Sequence, residues 1–527
     1  MKNYVFLFVF LLVGAMSCKG GSDVAESVHG STADTNVNVY SGYFLHGSNM
    51  GWRNNNWRDE DIADILIGNP SRGWAGVGVN SLRPSLPENF IETWGYDSKV
   101  STFRYYSERN AKQNAVFIGD SPCDRHREKR QYVSGIQSQS YENLYEPIWI
   151  EGANGKTVNQ NNYYAWYAYN VVTRYKDYVK FWEIKNEPDF TGSDCGWNAQ
   201  SQCSWWKKDP SPADLPNWGA PIQSYIRMLR ISYEVIQSVD PEAHTCVGGI
   251  GYESFLDAIL RNTDNPDNGK VTERYPQKGG AWFDCLSFHI YPMYSLRSWE
   301  SNGWVNTRHS DAAVAAVENQ TKTYVSLLER YGYGNEYSAK EMIITETNVP
   351  SKEVGDYIGS EQAQRNYLMK ISVVGQKNRI RGIYPFSVWD DRESNQGGEP
   401  YQFMGFYKPI PDSPGGGQLR MNESVTGWRT TSRLLSNRRY DEQETQRLHL
   451  PGGIDGGAFH SSSANDYVYV LWAKTTSDRS ENASASYSFP ASMNVNGMTT
   501  FDWRETQAVV NGNTVTLTGT PLFIKTR

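Results

Sequence analysis

Two glutamates end apolar runs and could do acid–base or nucleophilic chemistry. Glu187 lies near the end of FWEIKNEPD (residues 181–189), whose alternating pattern predicts a buried strand that Pro188 stops. Glu346 follows a similar apolar run in MIITETN (residues 342–348). Two carboxylates on strand ends that face one cleft are the minimum equipment for cleaving a glycosidic bond. The alternative for each residue is a solvated strand end.

The two residues have different predicted roles. Glu187 is the predicted general acid, which protonates the leaving oxygen and then activates water, so it must carry a proton at rest. Glu346 is the predicted nucleophile, which attacks the anomeric carbon. A retaining reaction needs carboxyl groups about 5 to 5.5 Å apart and an inverting reaction about 6.5 to 9.5 Å. The sequence alone leaves this distance open.

These two runs belong to a longer alternation of strands and helices. Amphipathic helices are predicted at residues 59–67, 163–178, 221–239, 312–331 and 360–375. Six further strands are predicted at residues 43–47, 77–84, 115–119, 244–250, 283–291 and 380–389. Eight buried strands that alternate with helices predict an α/β fold, a (β/α)8 TIM barrel, with its site at the carboxyl ends of the strands. Glu187 then follows the fourth strand and Glu346 ends the seventh.

The two ends of the chain have sequence patterns that differ from the alternation of strands and helices between them. In residues 1–18, Lys2, an apolar run and small residues before Cys18 resemble the signal peptide and lipobox of bacterial lipoproteins, in which the cysteine is acylated. Residues 19–38 read as a flexible tether and residues 39–435 as the catalytic barrel. Short alternating runs between turn residues predict a small antiparallel β-sandwich at residues 436–527, either a brace or a carbohydrate-binding unit.

Composition excludes several classes of partner. The formal charge of −7 and the lack of a long basic run argue against nucleic acid. No run after the first segment approaches the roughly 20 apolar residues of a membrane span, so the membrane contact is predicted to be a lipid on Cys18 in the bacterial cell envelope, with the membrane face left open.

The other five cysteines match no zinc spacing, so no metal or cofactor is expected. Cys195 and Cys203 could form a disulfide across one loop, whereas Cys246 and Cys285 read as buried thiols.

Residues at the ends of other predicted strands are candidates to support the glutamates. Arg83 ends the second strand and could hold Glu346 anionic; the alternative is a surface ion pair. His289 should line the cleft, unless it is a core histidine, and His46 is a weaker candidate of the same kind. Glu183 shares a strand face with Lys185, which predicts a buried ion pair between them.

The chain contains 18 tryptophans and 34 tyrosines, and aromatic faces stack on the apolar faces of sugar rings; core size is the alternative reason for keeping them. Several rim loops are long and aromatic, which suits an extended cleft for a polymer. They include Trp52 and Trp57 near the first strand, Trp197, Trp205, Trp206 and Trp218 after the fourth, and Tyr294, Trp299 and Trp304 after the sixth.

Six strings together resemble glycoside hydrolase family 86, the β-agarases and β-porphyranases, within clan A of retaining hydrolases: HGSNMGW, SLRP, FWEIKNEPDF, SFHIYP, ITETN and YPFSVW. The Asn-Glu-Pro core is the part specific to the clan. The resemblance implies that Asn186 binds the sugar 2-hydroxyl, that Tyr291 hydrogen-bonds the nucleophile and that Trp389 is an aromatic floor for the sugar. It also implies retention and endo-cleavage of β-1,4-galactosidic links in red-algal galactan, a polysaccharide partner.

The exact substrate stays open at this point. Porphyran carries sulfate, which needs a cationic or amide-lined pocket, and the loop at residues 123–130 offers Arg125, His126, Arg127, Lys129 and Arg130. This loop slightly favours porphyran over agarose, and a solvated charged loop is the alternative. The remaining alternatives are a clan A hydrolase of xylan or mannan, and a non-catalytic glycan-binding lipoprotein of the cell surface.

Overall fold

The computed structural model describes residues 37–51, 56–150, 157–301 and 303–526. The predicted lipid anchor Cys18, the signal peptide, Trp52 and most of the tether lie outside the described residues. Within the described residues no helix is both long and apolar enough to cross a membrane.

The predicted barrel is confirmed. Eight parallel strands form one sheet, in the order β2-β1-β10-β9-β6-β5-β4-β3. They are β1 Leu45–Asn49, β2 Ser81–Arg83, β3 Asn114–Ile118, β4 Val179–Ile184, β5 His244–Ile250, β6 Cys285–Ile290, β9 Glu341–Thr347 and β10 Ile380–Pro385. A hairpin, β7 Arg297–Glu300 and β8 Gly303–Asn306, lies in the loop after β6.

The first and last strands of this sheet meet, which brings the sheet close to a full ring. Ser85, which follows β2, forms a parallel bridge with Phe117 in β3. The Leu82 amide donates to Oδ1 of Asn114 at 2.8 Å. Because β2 is short, the Asn114 side chain of β3 therefore takes the place of part of the backbone hydrogen-bond ladder between the two strands.

Helices cover the outside of the barrel. All five predicted helices are present. Among the described residues, five further helices of six to twelve residues were not predicted: Glu88–Trp94, Val100–Glu108, Glu253–Arg261, Glu423–Leu434 and Glu442–Arg447. Short helices show few turns of apolar periodicity. The helices are α1 Asp59–Ile67, α2 Glu88–Trp94, α3 Val100–Glu108, α4 Tyr163–Tyr175, α5 Ile222–Val239, α6 Glu253–Arg261, α7 Ser310–Arg330, α8 Glu361–Lys377, α9 Glu423–Leu434 and α10 Glu442–Arg447.

The barrel interior has an apolar lower part and a polar upper part. The lower part is a buried cluster of eight residues, which includes Tyr40, Phe181 and Tyr384. Arg83 and Glu183 are buried in the upper part. A buried charged layer directly below the carboxyl ends of the strands can fix the side chains above it, because each charge must find a partner.

β4 ends earlier than the sequence predicted. The strand stops at Ile184, three residues before Glu187, because Lys185 and Glu187 adopt positive φ angles of 66° and 46°. The Glu187 amide then donates to the carbonyl of Gly248 at 3.0 Å. A Cβ on Gly248 would lie 1.7 Å from the Lys185 carbonyl oxygen, so this turn fits only over a glycine.

The C-terminal part is antiparallel, as predicted. One sheet has six strands in the order β11-β12-β13-β18-β15-β16, and a second sheet is the antiparallel pair β14-β17. These strands are β11 Arg439–Asp441, β12 Ile454–Ser461, β13 Asp466–Ala473, β14 Ser484–Ser488, β15 Gly497–Phe501, β16 Gln507–Asn511, β17 Thr514–Thr518 and β18 Leu522–Thr526.

β13 shows how this sheet packs on the barrel. Val470 and Trp472 join the core of the barrel, whereas Tyr469 and Leu471 join the smaller core of the C-terminal sheets. The alternation of a strand therefore buries both faces of β13. Indole Nε1 of Trp472 also donates to Oδ1 of Asp311 on α7 at 2.8 Å.

Candidate active site

Glu346 lies near the end of β9 and accepts three hydrogen bonds. Arg83 Nη1 and Asn49 Nδ2 donate to its Oε1 at 2.7 and 3.0 Å. The Tyr291 hydroxyl donates to its Oε2 at 2.5 Å. A carboxylate that accepts from a guanidinium, an amide and a phenol is held in one orientation, which suits a nucleophile.

Glu187 faces the same gap from the loop after β4. Its side chain is 28% exposed and that of Glu346 is 12% exposed, so both carboxylates reach solvent from a largely buried setting. One oxygen of each carboxylate and one ring nitrogen of His289 all lie within 4.8 Å of one another. This proximity suits the short separation of a retaining pair and leaves little room for the separation of an inverting pair.

Arg83 is the centre of the buried layer below this gap. Its Nε donates to Oε2 of Glu183 at 2.6 Å and its Nη2 to Oδ1 of Asn186 at 2.7 Å. Burial lowers the pKa of Arg83, but the charges of Glu183 and Glu346 outweigh burial and raise it. The side chain is fully buried, so the alternative of a surface ion pair is wrong.

The predicted ion pair between Glu183 and Lys185 is wrong. Glu183 pairs with Arg83, and Lys185 Nζ instead lies 2.7 Å from Oδ1 of Asp120. The physical reason is that β4 ends at Ile184, so Lys185, with its positive φ, no longer follows the alternation of the strand. Oδ2 of Asp120 accepts from the Asn186 amide at 2.9 Å, which fixes the turn before Glu187.

Glu183 remains charged although it is buried. Burial raises its pKa, but Arg83 outweighs burial, so the pKa of Glu183 is lowered below its usual value. Hydroxyl groups of Ser287 and Thr345, on β6 and β9, also donate to its Oε1. The charge of Arg83 is therefore shared between the fully buried carboxylate of Glu183 and the partly buried carboxylate of Glu346.

His289 lies between the two carboxylates. Its Nδ1 is 2.8 Å from Oε1 of Glu187 and 3.8 Å from Oε2 of Glu346. Burial lowers the pKa of His289, but the charge of Glu346 and the hydrogen bond with Glu187 outweigh it, so the pKa is raised. A Cβ on Gly249 would lie 2.3 Å from Nε2 of His289, so the imidazole depends on this glycine for its space.

Aromatic rings form one wall of the site. The Tyr291 ring contacts those of Phe386 and Tyr401, with centroid distances of 6.2 and 4.8 Å. Phe386 directly follows β10. Trp389, the predicted floor, lies four residues beyond the end of β10, is half-buried and bridges to Tyr407. Phe386 is thus the ring after β10 that contacts Tyr291.

His46 does not come to the site. It is buried, with Nε2 2.9 Å from Oγ of Ser372 on α8 and its ring against Trp428 on α9. Burial lowers its pKa to about 3, so it stays neutral. Asn49, which the sequence reasoning missed, reaches Glu346 instead. Asn49 is a polar residue at the end of a strand, and this feature could have identified it. It was missed because the predicted first strand stopped at residue 47, two residues earlier.

The basic loop at residues 123–130 is occupied by local contacts. Arg125 pairs with Glu92 at 2.5 Å, and Nδ1 of His126 lies 2.5 Å from Glu88. The remaining basic side chains bond to nearby carbonyls or lie over a ring: Arg127 with Pro122, Lys129 with Asp124 and Arg130 with Tyr132. The loop therefore offers less free positive charge for a sulfate than its sequence indicated.

The cysteines agree with the sequence analysis. Cys195 and Cys203 form a disulfide, and Cys246 and Cys285 are buried free thiols.

Among the described residues, three groups of side chains have possible metal-ligand atoms within 4.8 Å of one another: Glu187 with His289 and Glu346, Glu88 with Cys123 and His126, and Asp194 with Cys195 and Cys203. The two cysteines of the third group are joined in the disulfide. In the first group Arg83 already neutralises Glu346, which disfavours a metal cation there.

Known structures share this fold. A glucosidase from Croceicoccus marinus superposes with a TM-score of 0.52 and 11% identity, covering 92% of this chain and 96% of that one. An α-L-arabinofuranosidase from Thermotoga maritima superposes with a TM-score of 0.50 and 11% identity, covering 94% and 98%. No family model matches the sequence. Curated proteins gave no match either.

Proposed function

We propose that this protein is a retaining glycoside hydrolase with Glu187 as the acid/base and Glu346 as the nucleophile. The observation that carries the proposal is that the two carboxylates share one gap, with oxygens within 4.8 Å of each other and of His289. The different surroundings of the two groups support different roles. Glu346 accepts three hydrogen bonds, one of them from a guanidinium, whereas Glu187 is the more exposed group and contacts a histidine.

The first step follows from these positions. Glu346 attacks the anomeric carbon while the proton of Glu187 moves to the glycosidic oxygen, so the bond to the leaving sugar breaks and a glycosyl ester forms on Glu346. In the second step Glu187 takes a proton from water, and the resulting hydroxide displaces Glu346 from the sugar. Two inversions leave the product with the starting β configuration.

The neighbouring residues then have defined tasks. Arg83, Asn49 and Tyr291 stabilise the carboxylate of Glu346 when it leaves the sugar at the end of the second step. Asn186 is anchored by Arg83 next to Glu187, a position from which its amide can bind the sugar 2-hydroxyl, as the clan resemblance implies.

For the substrate we propose a β-1,4-linked red-algal galactan, cut within the chain. This part rests on the resemblance of the six sequence strings to glycoside hydrolase family 86. The local contacts of the basic loop weaken the preference for porphyran, so agarose and porphyran stand level. Attachment to the cell envelope through Cys18 is part of the same proposal and rests on the sequence of residues 1–18.

The test is reducing-sugar release from agarose, porphyran, xylan and mannan by the wild type, Glu187→Gln and Glu346→Gln. We expect the wild type to cleave a galactan and each variant to lose at least about a thousandfold in kcat, because the reaction loses its proton donor or its nucleophile. Glu318→Gln, on the exposed face of α7, serves as the matched control and should keep full activity.

Cleavage of xylan or mannan alone would move the enzyme to another specificity. A wild type no faster than the two variants on every polymer would instead indicate the alternative, a glycan-binding protein without catalysis.

A further inference from the structure

The hairpin β7–β8 carries an exposed pair of tryptophans at the rim of the barrel. Trp299 and Trp304 are direct cross-strand partners, with ring centroids 5.3 Å apart at 78°. Their exposed fractions are 58% and 43%, whereas other tryptophans such as Trp205 and Trp218 are fully buried. Leaving two large rings in water has a hydrophobic cost, so such a pair marks a binding surface.

Neighbouring contacts hold this pair in place before any ligand arrives. The guanidinium of Arg297 lies 4.1 Å above the Trp304 ring and pairs with Asp356 at 3.0 Å. The Thr307 amide donates to the carbonyl of Leu296 at 2.9 Å, which closes the base of the hairpin. One face of Trp304 is therefore covered, and the more exposed Trp299 supplies the open ring. A surface ordered in advance loses little entropy on binding.

Contacts between aromatic rings connect the pair to the candidate active site. Tyr291, which bonds Glu346, packs against Tyr401, and the Tyr294 hydroxyl donates to the Tyr401 hydroxyl at 2.6 Å. Tyr294 packs on Tyr357 at 5.5 Å, next to the Asp356 that holds Arg297. Four half-buried tyrosine rings, followed by the ion pair of Asp356 with Arg297, thus connect Glu346 to the exposed pair.

We propose that Trp299, supported by Trp304 and Arg297, is a distal subsite that stacks on a pyranose ring of the bound polysaccharide, outside the cleavage site. The inference rests on the proposed function and states where the polysaccharide leaves the cleft. A sugar fits this surface because one flat apolar ring lies on the same face of the hairpin as the polar side chains of Arg297 and Asn306, which are direct cross-strand partners. A folded protein partner would need a larger contact area.

The consequence is a dependence on chain length. A polysaccharide long enough to reach Trp299 gains a contact that a short oligosaccharide cannot make. Trp299→Ala should therefore lower kcat/KM on the polymer more than on the shortest cleaved oligosaccharide. Because a distal contact adds binding without touching the reacting atoms, the difference should lie in KM and leave the ratio of kcat values close to one.

The experiment measures binding separately from cleavage. In the Glu346→Gln background, mobility is compared in native gels that contain agarose, porphyran, xylan or mannan, with and without Trp299→Ala. We expect the retarding polymer to bind about tenfold more weakly after loss of the ring, which is about 1.4 kcal/mol. Trp94→Ala is the matched control. Trp94 is 68% exposed and is the last residue of α2. The amide of Glu88, the first residue of α2, donates to the carbonyl of Asp120 at the rim of the barrel. The helix therefore runs away from the rim, and Trp94 lies away from the cleft.

Each result decides one of the two proposals. Equal retardation of the Trp299→Ala and Trp94→Ala proteins, or no retardation by any of the polymers, would overturn the distal subsite. Retardation that needs Trp299 in a protein whose wild type cleaves no polymer would overturn the proposed hydrolase and keep the subsite. Equal melting temperatures of the two alanine variants confirm that both are folded.

Discussion

A single buried arginine links the residues on which the proposed chemistry depends. Arg83 donates to Glu183, Asn186 and Glu346, so it joins the buried layer of the barrel to the proposed nucleophile. A lysine could not serve three acceptors with the same planar geometry. The arginine therefore orients the carboxylate of Glu346 and also neutralises the charge of Glu183 inside the barrel.

Replacing this arginine should destabilise the whole protein. In Arg83→Met, Glu183 keeps a buried carboxylate without its counter-charge, which costs about 3 to 5 kcal/mol in free energy of unfolding. Denaturant unfolding measures this loss. The control is Arg420→Met, which removes an exposed pair with Glu393 and should cost less than about 1 kcal/mol. A loss in Arg83→Met as small as in the control would contradict the central place given to Arg83.

His289 should make stability depend on pH. Its pKa in the folded protein is raised above the usual 6.5, so the protonated imidazole stabilises the folded state. This stabilisation is complete below pH 6.5 and is lost as the pH rises through the raised pKa. The wild type should therefore lose stability relative to His289→Gln as the pH rises above 6.5. A difference that stays constant or grows over this range would show that the sign is wrong.

At the scale of the elements, the end of β5 determines whether the site fits together. Gly248 allows the turn after β4 to pass over it, and Gly249, with a φ of 55°, leaves space for the His289 ring. Two successive glycines in β5 thus let Glu187, after β4, and His289, in β6, approach each other across the strand that lies between them.

Adding one methyl group there should cost activity. In Gly249→Ala the new Cβ would lie 2.3 Å from the imidazole, so the ring and Glu187 must shift, and a shift of about 1 Å can cost about a hundredfold in kcat. Gly251→Ala, directly after the end of β5, meets open space and should keep normal activity. Kinetics on the cleaved polymer would compare the two, and equal activities would count against the proposed fit.

The sequence predicted the elements better than their ends. The predicted bounds of α1 and β5 agree with the structure because long apolar patterns stop there at polar or glycine residues. The end of β4 was misplaced because nothing in Lys-Asn-Glu announces two positive φ angles. The same kind of error at β1 selected His46 and hid Asn49, since side chains of a strand alternate between its two faces.

Contacts between distant segments were the part that the sequence could not supply. Arg83 and Glu183 are a hundred positions apart, and nothing local indicates that they pair. The partner of Lys185 is likewise on another strand's loop, at Asp120. The hairpin β7–β8 was read as a loop, because two short runs around Trp299 and Trp304 give too little alternation to predict strands.

On the scale of the whole molecule, the C-terminal sheets brace the barrel. Glu481, between β13 and β14, accepts hydrogen bonds from the amide and hydroxyl of Ser310 at the start of α7 and from Asn366 of α8. Together with the shared core of β13, these contacts favour the role of a brace over that of an independent carbohydrate-binding unit.

Removing this bond network should weaken the brace. Glu481→Ala leaves the buried donors of Ser310 and Asn366 without their acceptor, which costs about 2 to 3 kcal/mol in free energy of unfolding. Calorimetry should show a lower melting temperature. Glu318→Ala, which removes only an exposed pair with Lys322, should change it little. An unchanged melting temperature in Glu481→Ala would argue that the sheets are not coupled to the barrel through this residue.

The configuration of the first product, followed by proton NMR during cleavage of whichever polysaccharide the enzyme degrades, tests the proposed mechanism most directly. The roles proposed for Glu187 and Glu346 imply two displacements, so the new reducing end should appear first as the β-anomer, with the α-anomer growing later by mutarotation. An α-anomer that appears first would contradict the roles given to both glutamates.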